Sequence, residues 1–238
     1  MKNIITIVIF CMMTAYAWSQ ESNFDYKYAL KFYNMTTYEY VKLDRLNADQ
    51  TQYTYKYSIF KVLNPTVAFQ WNSKNNHLQE IELTDLNWDK ETIINQELYD
   101  TNGFVQSLYN VDKRTSSISL RYEYQLNFNK NHRLVPGLGF GINPYYFSEK
   151  FVPQIDNLYK TTSTVFGADM LITPRITYFV NSRIYLDMNI PFSLINLKYS
   201  SRFVDNPLLP NSQKTQATVD FEELQKKYYL RIGIGIKF

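Results

Sequence analysis

The sequence predicts an all-β protein, a closed antiparallel up-and-down transmembrane β-barrel of about eight strands preceded by a cleaved signal peptide. Three observations lead there. Side chains alternate apolar and polar with a period of two, connections alternate short and long, and aromatic residues gather at strand ends.

The period is clearest in the last segment, where Tyr228, Leu230, Ile232, Ile234, Ile236 and Phe238 interleave with Tyr229, Arg231, Gly233, Gly235 and Lys237. One face of an extended chain is then apolar and the other small or charged, whereas a helix would scatter the same residues around its circumference. Ile118, Leu120, Tyr122, Tyr124, Leu126 and Phe128 repeat the pattern against Ser117, Ser119, Arg121, Glu123, Gln125 and Asn127. Six noisier segments complete the set: 24–33, 53–71, 78–88, 134–147, 163–180 and 183–199. The segment 78–88 is the least regular, because Glu80, Glu82 and Asp85 leave no clean apolar face unless a β-bulge shifts the phase. Pro65, Pro136, Pro144, Pro174 and Pro191 fall within strands and require bulges, strand ends or unpaired positions.

The connections run long (42–52), short (72–76), long (89–115), short (129–132), long (148–162), short (181–182) and long (200–224). Short turns at one end and long loops at the other are the habit of an up-and-down barrel in an outer membrane. An even strand number places both mature termini on the short-turn, periplasmic side. Phe69, Trp71, Phe128, Tyr178 and Phe238 fall near the short-turn ends, and Tyr53, Tyr55, Tyr146, Tyr199 and Tyr228 near the long-loop ends. Two such sets are expected to form the interfacial girdles.

The N-terminus reads as a signal peptide over residues 1–20. Lys2 is followed by an apolar run to Met13 and by Ala15-Tyr16-Ala17, with cleavage after Ala17 or after Gln20. The barrel domain is then 21–238. The single cysteine, Cys11, lies in the signal, so the mature chain is expected to hold no disulfide and no cysteine metal site. No apolar stretch beyond the signal reaches the ~20 residues of a membrane helix. Lys+Arg 25 against Asp+Glu 22, spread through the strands, argues against a nucleic-acid partner.

The terminal Tyr228-Tyr229-Leu230-Arg231-Ile232-Gly233-Ile234-Gly235-Ile236-Lys237-Phe238, together with the signal and the alternating strands, resembles the small bacterial outer-membrane β-barrel superfamily, of outer-membrane protein A/X-like type. The signal ending Trp18-Ser19-Gln20 and the Asn-, Lys- and Tyr-rich composition resemble barrels of the Bacteroidetes lineage. That resemblance implies an outer-membrane location, contact with outer-membrane lipid, and recognition of the terminal strand, with Phe238 as assembly signal, by the barrel assembly machinery. No periplasmic domain of the outer-membrane protein A kind is expected after Phe238.

Within the lumen the register places Lys27, Lys31, Lys56, Arg121, Glu123, Asp169, Arg175, Arg183, Asp187, Arg231 and Lys237. Both signs are present, and buried charges need partners, so a network of ion pairs that fills the lumen is expected. Gly137, Gly139, Gly141, Gly167, Gly233 and Gly235 also point inward, relieving curvature and making room for the long charged side chains. No catalytic, cofactor or metal site is expected. His77 and His132 lie beside the short turns, away from an outer-leaflet substrate, and no nucleotide-binding or HExxH sequence occurs. The expected role is non-enzymatic, structural or surface-interacting through the long loops, with an extracellular or periplasmic protein partner unspecified. The competing readings are a lipid-modifying enzyme, a narrow pore, and a secreted soluble barrel or sandwich for a small apolar ligand.

Overall fold

The computed structural model describes residues 26–46, 52–73, 77–99, 105–128, 132–156, 158–223 and 227–238. The expected signal peptide lies outside them. Eleven β-segments appear in chain order: β1 (Tyr28–Leu46), β2 (Gln52–Lys61), β3 (Pro65–Asn72), β4 (Leu78–Tyr99), β5 (Val105–Asn127), β6 (Leu134–Pro153), β7 (Thr161–Phe179), β8 (Ile184–Asn189), β9 (Phe192–Val204), β10 (Thr215–Glu223) and β11 (Lys227–Lys237). One four-residue helix, α1 (Asn211–Lys214), precedes β10.

Three pairs of segments are halves of single barrel strands. β2 continues into β3, β8 into β9 across Ile190–Pro191, and β10 leads to β11. Each strand then pairs antiparallel with its sequence neighbour, and β11 pairs with β1 from Ala29↔Lys237 to Glu39↔Lys227. The result is a closed eight-stranded barrel. Both ends of the barrel chain meet at the short-turn side, where Tyr28 and Phe238 exchange backbone hydrogen bonds of 3.2 and 3.0 Å.

The pleat sorts side chains as the alternation requires. Leu230, Ile232, Ile234, Ile236 and Phe238 of the closing strand are exposed, while Arg231 is buried and the glycines face the lumen. The irregular segment 78–88 resolves through a register shift between Leu83 and Asp85. Thr84 is the extra residue, so Glu80 and Glu82 stay inside and Leu86 and Trp88 return to the outer face. Three of the prolines occupy positions the ladder can spare, whereas Pro136 and Pro174 stand inside the β6–β7 ladder, opposite Ile176 and Leu138. Pro65 opens β3, Pro191 sits at the β8/β9 break, and Asn143–Pro144 lie where the β5–β6 ladder skips Leu120 and Arg121.

The long connections differ from the expectation of loops. Of 89–115, β4 continues to Tyr99 and β5 begins at Val105, and much of 148–162 and 200–224 is strand as well. Strands of 22 and 23 residues are twice the ~9–11 that a tilted strand needs to cross a bilayer. Above the closed barrel the sheet also opens. β2 pairs only with β1, and β10 only with β9, so among the described residues β2, the upper part of β4 and β10 each carry an unpaired edge.

Candidate functional site

Among the described residues polar and charged side chains concentrate in the lumen, which is layered. Nearest the short turns lies an apolar and aromatic floor of Tyr26, Ala29, Leu78, Val135, Phe179 and Tyr185. Tyr26 and Tyr185 both donate their hydroxyl hydrogens to Gln70 Oε1 at 2.8 Å, and Gln70 Nε2 donates to Gln125 Oε1 at 2.7 Å. Gln125 Nε2 donates in turn to Glu80 Oε2 at 3.0 Å, joining the floor to the layer above.

That middle layer is ionic. Lys31 Nζ donates to Glu80 at 2.6 Å and to Asp187 at 2.8 Å. Arg175 lies 3.3 Å from Asp187, 3.2 Å from Glu123 and 4.0 Å from Glu80. Arg231 pairs with Glu82, lies 3.7 Å from Glu80, and donates from Nη1 to Asn189 at 2.9 Å. Arg121 pairs with Glu123. The Tyr33 hydroxyl donates to Asp187 at 2.8 Å. Lys31, Arg121, Arg175 and Arg231 thus face Glu80, Glu82, Glu123 and Asp187, four charges against four, all buried. Equal charge is what the burial demands, because an uncompensated ion in a low-dielectric lumen costs several kcal/mol.

A layer of hydroxyls and amides around Asp169 follows toward the long-strand end. Asp169 accepts from Ser193 Oγ at 3.0 Å, Asn196 Nδ2 at 2.7 Å and Asn143 Nδ2 at 3.4 Å. Ser119 and Thr84 hydroxyls donate to Asn143 Oδ1 at 2.9 and 3.2 Å.

The structure therefore brings Lys31, Arg121, Glu123, Arg175, Asp187 and Arg231 together and separates the others. Asp169 has no cation within ion-pair distance among the described residues; its partners are neutral. Arg183 is exposed in the turn at 181–183, outside the lumen, because the strand starts one residue later at Ile184. Lys27 is also exposed, with its Nζ 5.2 Å over the outward Tyr28 ring. Lys237 stays at the lumen end, 4.5 Å over the Phe179 ring. Lys56 pairs through its backbone with Lys42, and its side chain lies outside the described residues.

Glu80, Glu82 and the inward tyrosines escaped the sequence reading. For the two glutamates the signal was hidden by the Thr84 bulge. For the tyrosines it lay in the glycines. Gly233 stands opposite Tyr33, Gly235 opposite Tyr185 and Gly167 opposite Tyr145. A Cβ on Gly235 would sit 2.1 Å from Tyr185 Cζ, one on Gly233 2.4 Å from Tyr33, and one on Gly167 2.3 Å from Tyr145. Those three glycines seat aromatic rings rather than charged side chains, the cross-strand arrangement by which an aromatic covers a glycine. Gly139 and Gly137 do face charged residues, Glu123 and the Arg175 stem.

The two histidines stand at the short-turn end. The His77 ring stacks on Tyr124 at 5.4 Å, and His132 Nδ1 is buried without a hydrogen-bond partner. No group of three His, Cys, Asp or Glu able to hold a metal occurs among the described residues.

No family model matches the chain, and no curated protein matches it. Among solved structures, Neisserial surface protein A aligns over 89% of this chain and 97% of its own, at 11% identity and a TM-score of 0.38. A Pseudomonas aeruginosa FadL homologue aligns over 90% of this chain and 91% of its own, at 8% identity and a TM-score of 0.19.

Proposed function

We propose that the protein is an integral outer-membrane barrel without catalytic activity, which closes its lumen with ion pairs and presents the open ends of its long strands outside the cell as an interaction surface. One observation carries the membrane reading. The barrel wall is apolar outside and the lumen is charged, the inverse of a soluble protein. Phe32, Val67, Phe69, Ile81, Leu120, Phe140, Met170, Leu186, Ile232 and Ile234 all lie exposed on neighbouring strands, whereas the buried residues are mainly polar or charged. Only lipid makes that arrangement favourable, and closure removes the sheet edges that lipid cannot satisfy.

The filled lumen favours a structural role over transport, since eight strands enclose just enough space for packed side chains. Surface interaction is favoured by the extension. Its unpaired edges at β4 and β10, and exposed Trp88, Ile94, Leu108, Val219 and Phe221, are the features through which sheets recruit another chain. Both termini then face the periplasm, and assembly through the terminal strand ending in Phe238 follows.

Cell fractionation tests the reading. The chain is expected in the outer-membrane fraction, resistant to alkaline carbonate and released by detergent. Recovery of folded chain in the soluble fraction without detergent sinks it and leaves the secreted binder. Incubation of the purified barrel with native outer-membrane lipids, followed by mass analysis, is expected to leave every lipid mass unchanged. A turnover lost on His77→Ala or His132→Ala would make the protein an enzyme.

A further inference from the structure

The two ends of the barrel carry different charge. At the long-strand end the signs are mixed: Lys113 pairs with Glu91 and Glu149, and Lys198 with Asp220 and Glu222. At the short-turn end Lys27, Arg133 and Arg183 are exposed, and no Asp or Glu side chain lies among the described strand ends and turns. In sequence the neighbouring segments add Lys74 in 74–76 and Lys130 in 129–131, against Asp25 two residues before Lys27.

Two of these cations border a continuous aromatic surface. Outward rings follow one another around the wall: Phe238 to Tyr28 at 6.2 Å, Tyr28 to Phe69 at 5.6 Å, Phe69 to Trp71 along β3 at 6.1 Å, and Trp71 across β4 to Tyr122 of β5 at 6.3 Å. Lys27 rises over the Tyr28 ring, and its carbonyl accepts the Asn72 N–H at 3.0 Å, one residue from Trp71. On the other flank the Arg183 carbonyl accepts the Lys237 N–H at 2.8 Å, and Phe238 pairs with Tyr28. Lys27 and Arg183 therefore stand about two strand spacings apart, roughly 10 Å. Lys237 is turned into the lumen over Phe179 and takes no part.

A ring of exposed cations directly beyond a belt of interfacial aromatics fits a molecule that is anionic at its head and apolar in its tail. We propose that this arc of the short-turn rim is a selective site for anionic phospholipid, with Lys27 and Arg183 on the phosphate and the Phe238–Tyr28–Phe69–Trp71 surface against the acyl chains. The proposal rests on the membrane reading above and narrows it to one leaflet and one head-group charge.

Trp71 is a reporter built into the site. The chain has three tryptophans, Trp18, Trp71 and Trp88. The full chain carrying W18F and W88F is refolded into phosphatidylcholine vesicles containing increasing brominated phosphatidylglycerol, and into the converse mixture, and quenching of Trp71 gives the relative binding constant. A preference of about fivefold for phosphatidylglycerol is expected, falling toward unity at high salt and in Lys27→Gln/Arg183→Gln. Both substitutions are exposed, and heat-modifiable gel mobility verifies that the variant barrel has folded. Trp88, left alone by W18F and W71F, is expected to show no preference. Equal quenching of Trp71 by the two brominated lipids overturns the site while leaving the membrane reading intact, and so does a preference that survives K27Q/R183Q. Quenching by neither lipid contradicts the membrane reading itself.

Discussion

Neutralising Glu80 tests the ionic layer at its most connected point. Its carboxylate meets Lys31 at 2.6 Å, Arg231 at 3.7 Å and Arg175 at 4.0 Å, and accepts from Gln125 at 3.0 Å. Glu80→Gln keeps the size of the side chain and leaves four cations against Glu82, Glu123 and Asp187. Removing one partner of a buried pair costs about 3–5 kcal/mol, because the remaining charge stays buried and uncompensated. Lys31 retains Asp187 at 2.8 Å, which places the loss toward the lower end of that range. Lys31→Met combined with Glu80→Gln restores three against three, and recovers most of the loss because exchanging a buried pair for apolar packing is close to neutral. The assay is equilibrium urea unfolding of the vesicle-inserted barrel, followed by tryptophan emission and gel mobility. A loss under about 1 kcal/mol for E80Q, the value of an exposed pair, would refute the reasoning. So would a double variant no better than the single one.

Other expectations follow from the same geometry. Gly235→Ala forces the Tyr185 ring off its seat and off Gln70, and is expected to destabilise the barrel by about 1–3 kcal/mol in the same unfolding assay. Glu91→Gln, which removes a half-exposed partner of Lys113, is expected to change stability by less than about 1 kcal/mol. Planar-bilayer recording of the refolded protein is expected to show no stable large conductance, and a steady open level would mean that the ion pairs line a pore instead of filling it. The upper β4–β5 hairpin should respond to pH. Hydrogen bonds from Thr92 and Gln154, with Lys90 and Arg114 nearby, hold Asp112 below the usual aspartate range, while Glu91 and Glu149 raise Lys113. The Asp112 contribution is complete above the ordinary carboxylate range and is lost as pH falls through the depressed value. The Lys113 contribution is complete below the ordinary lysine value and is lost as pH rises through the elevated one. Proteolysis of this hairpin by a protease active at both extremes should therefore accelerate only in strong acid and strong alkali; acceleration near neutrality would contradict the assignment.

The legible part of the fold was the part in contact with two solvents. Between 118–128 and 228–238 one face meets lipid and the other meets the lumen, so polarity alternates and the strands announce themselves. Beyond Trp88 both faces are wet: Asp89, Lys90, Glu91 and Thr92 are all exposed. Alternation vanishes there, and strand reads as loop. The lumen charges on regular strands, such as Lys31, Arg121, Arg175 and Arg231, were legible for the same reason, since an inward charge must sit two residues from the next inward residue, whereas Glu80 and Glu82 were hidden by the Thr84 bulge. Its pairing was not. Lys31 and Asp187 are 156 residues apart, on strands that are not neighbours, and meet only across the lumen. Arg183 failed because a strand boundary moved by one residue, and Asp169 because its layer is compensated by amides and hydroxyls that carry no charge signal.

Lipid contact along one strand tests the inside-out barrel most directly. With Cys11 changed to Ser, single cysteines at Ile232, Ile234 and Ile236, and separately at Asp89 and Arg114, are nitroxide-labelled in the vesicle-inserted protein. Collision with lipid-soluble oxygen is compared with collision with a water-soluble nickel complex. Oxygen should dominate at the three isoleucine positions, with the largest ratio at the one nearest mid-bilayer, and nickel should dominate at Asp89 and Arg114. Nickel dominance at Ile232, Ile234 and Ile236 would show that this face meets water, and the barrel would not span a membrane.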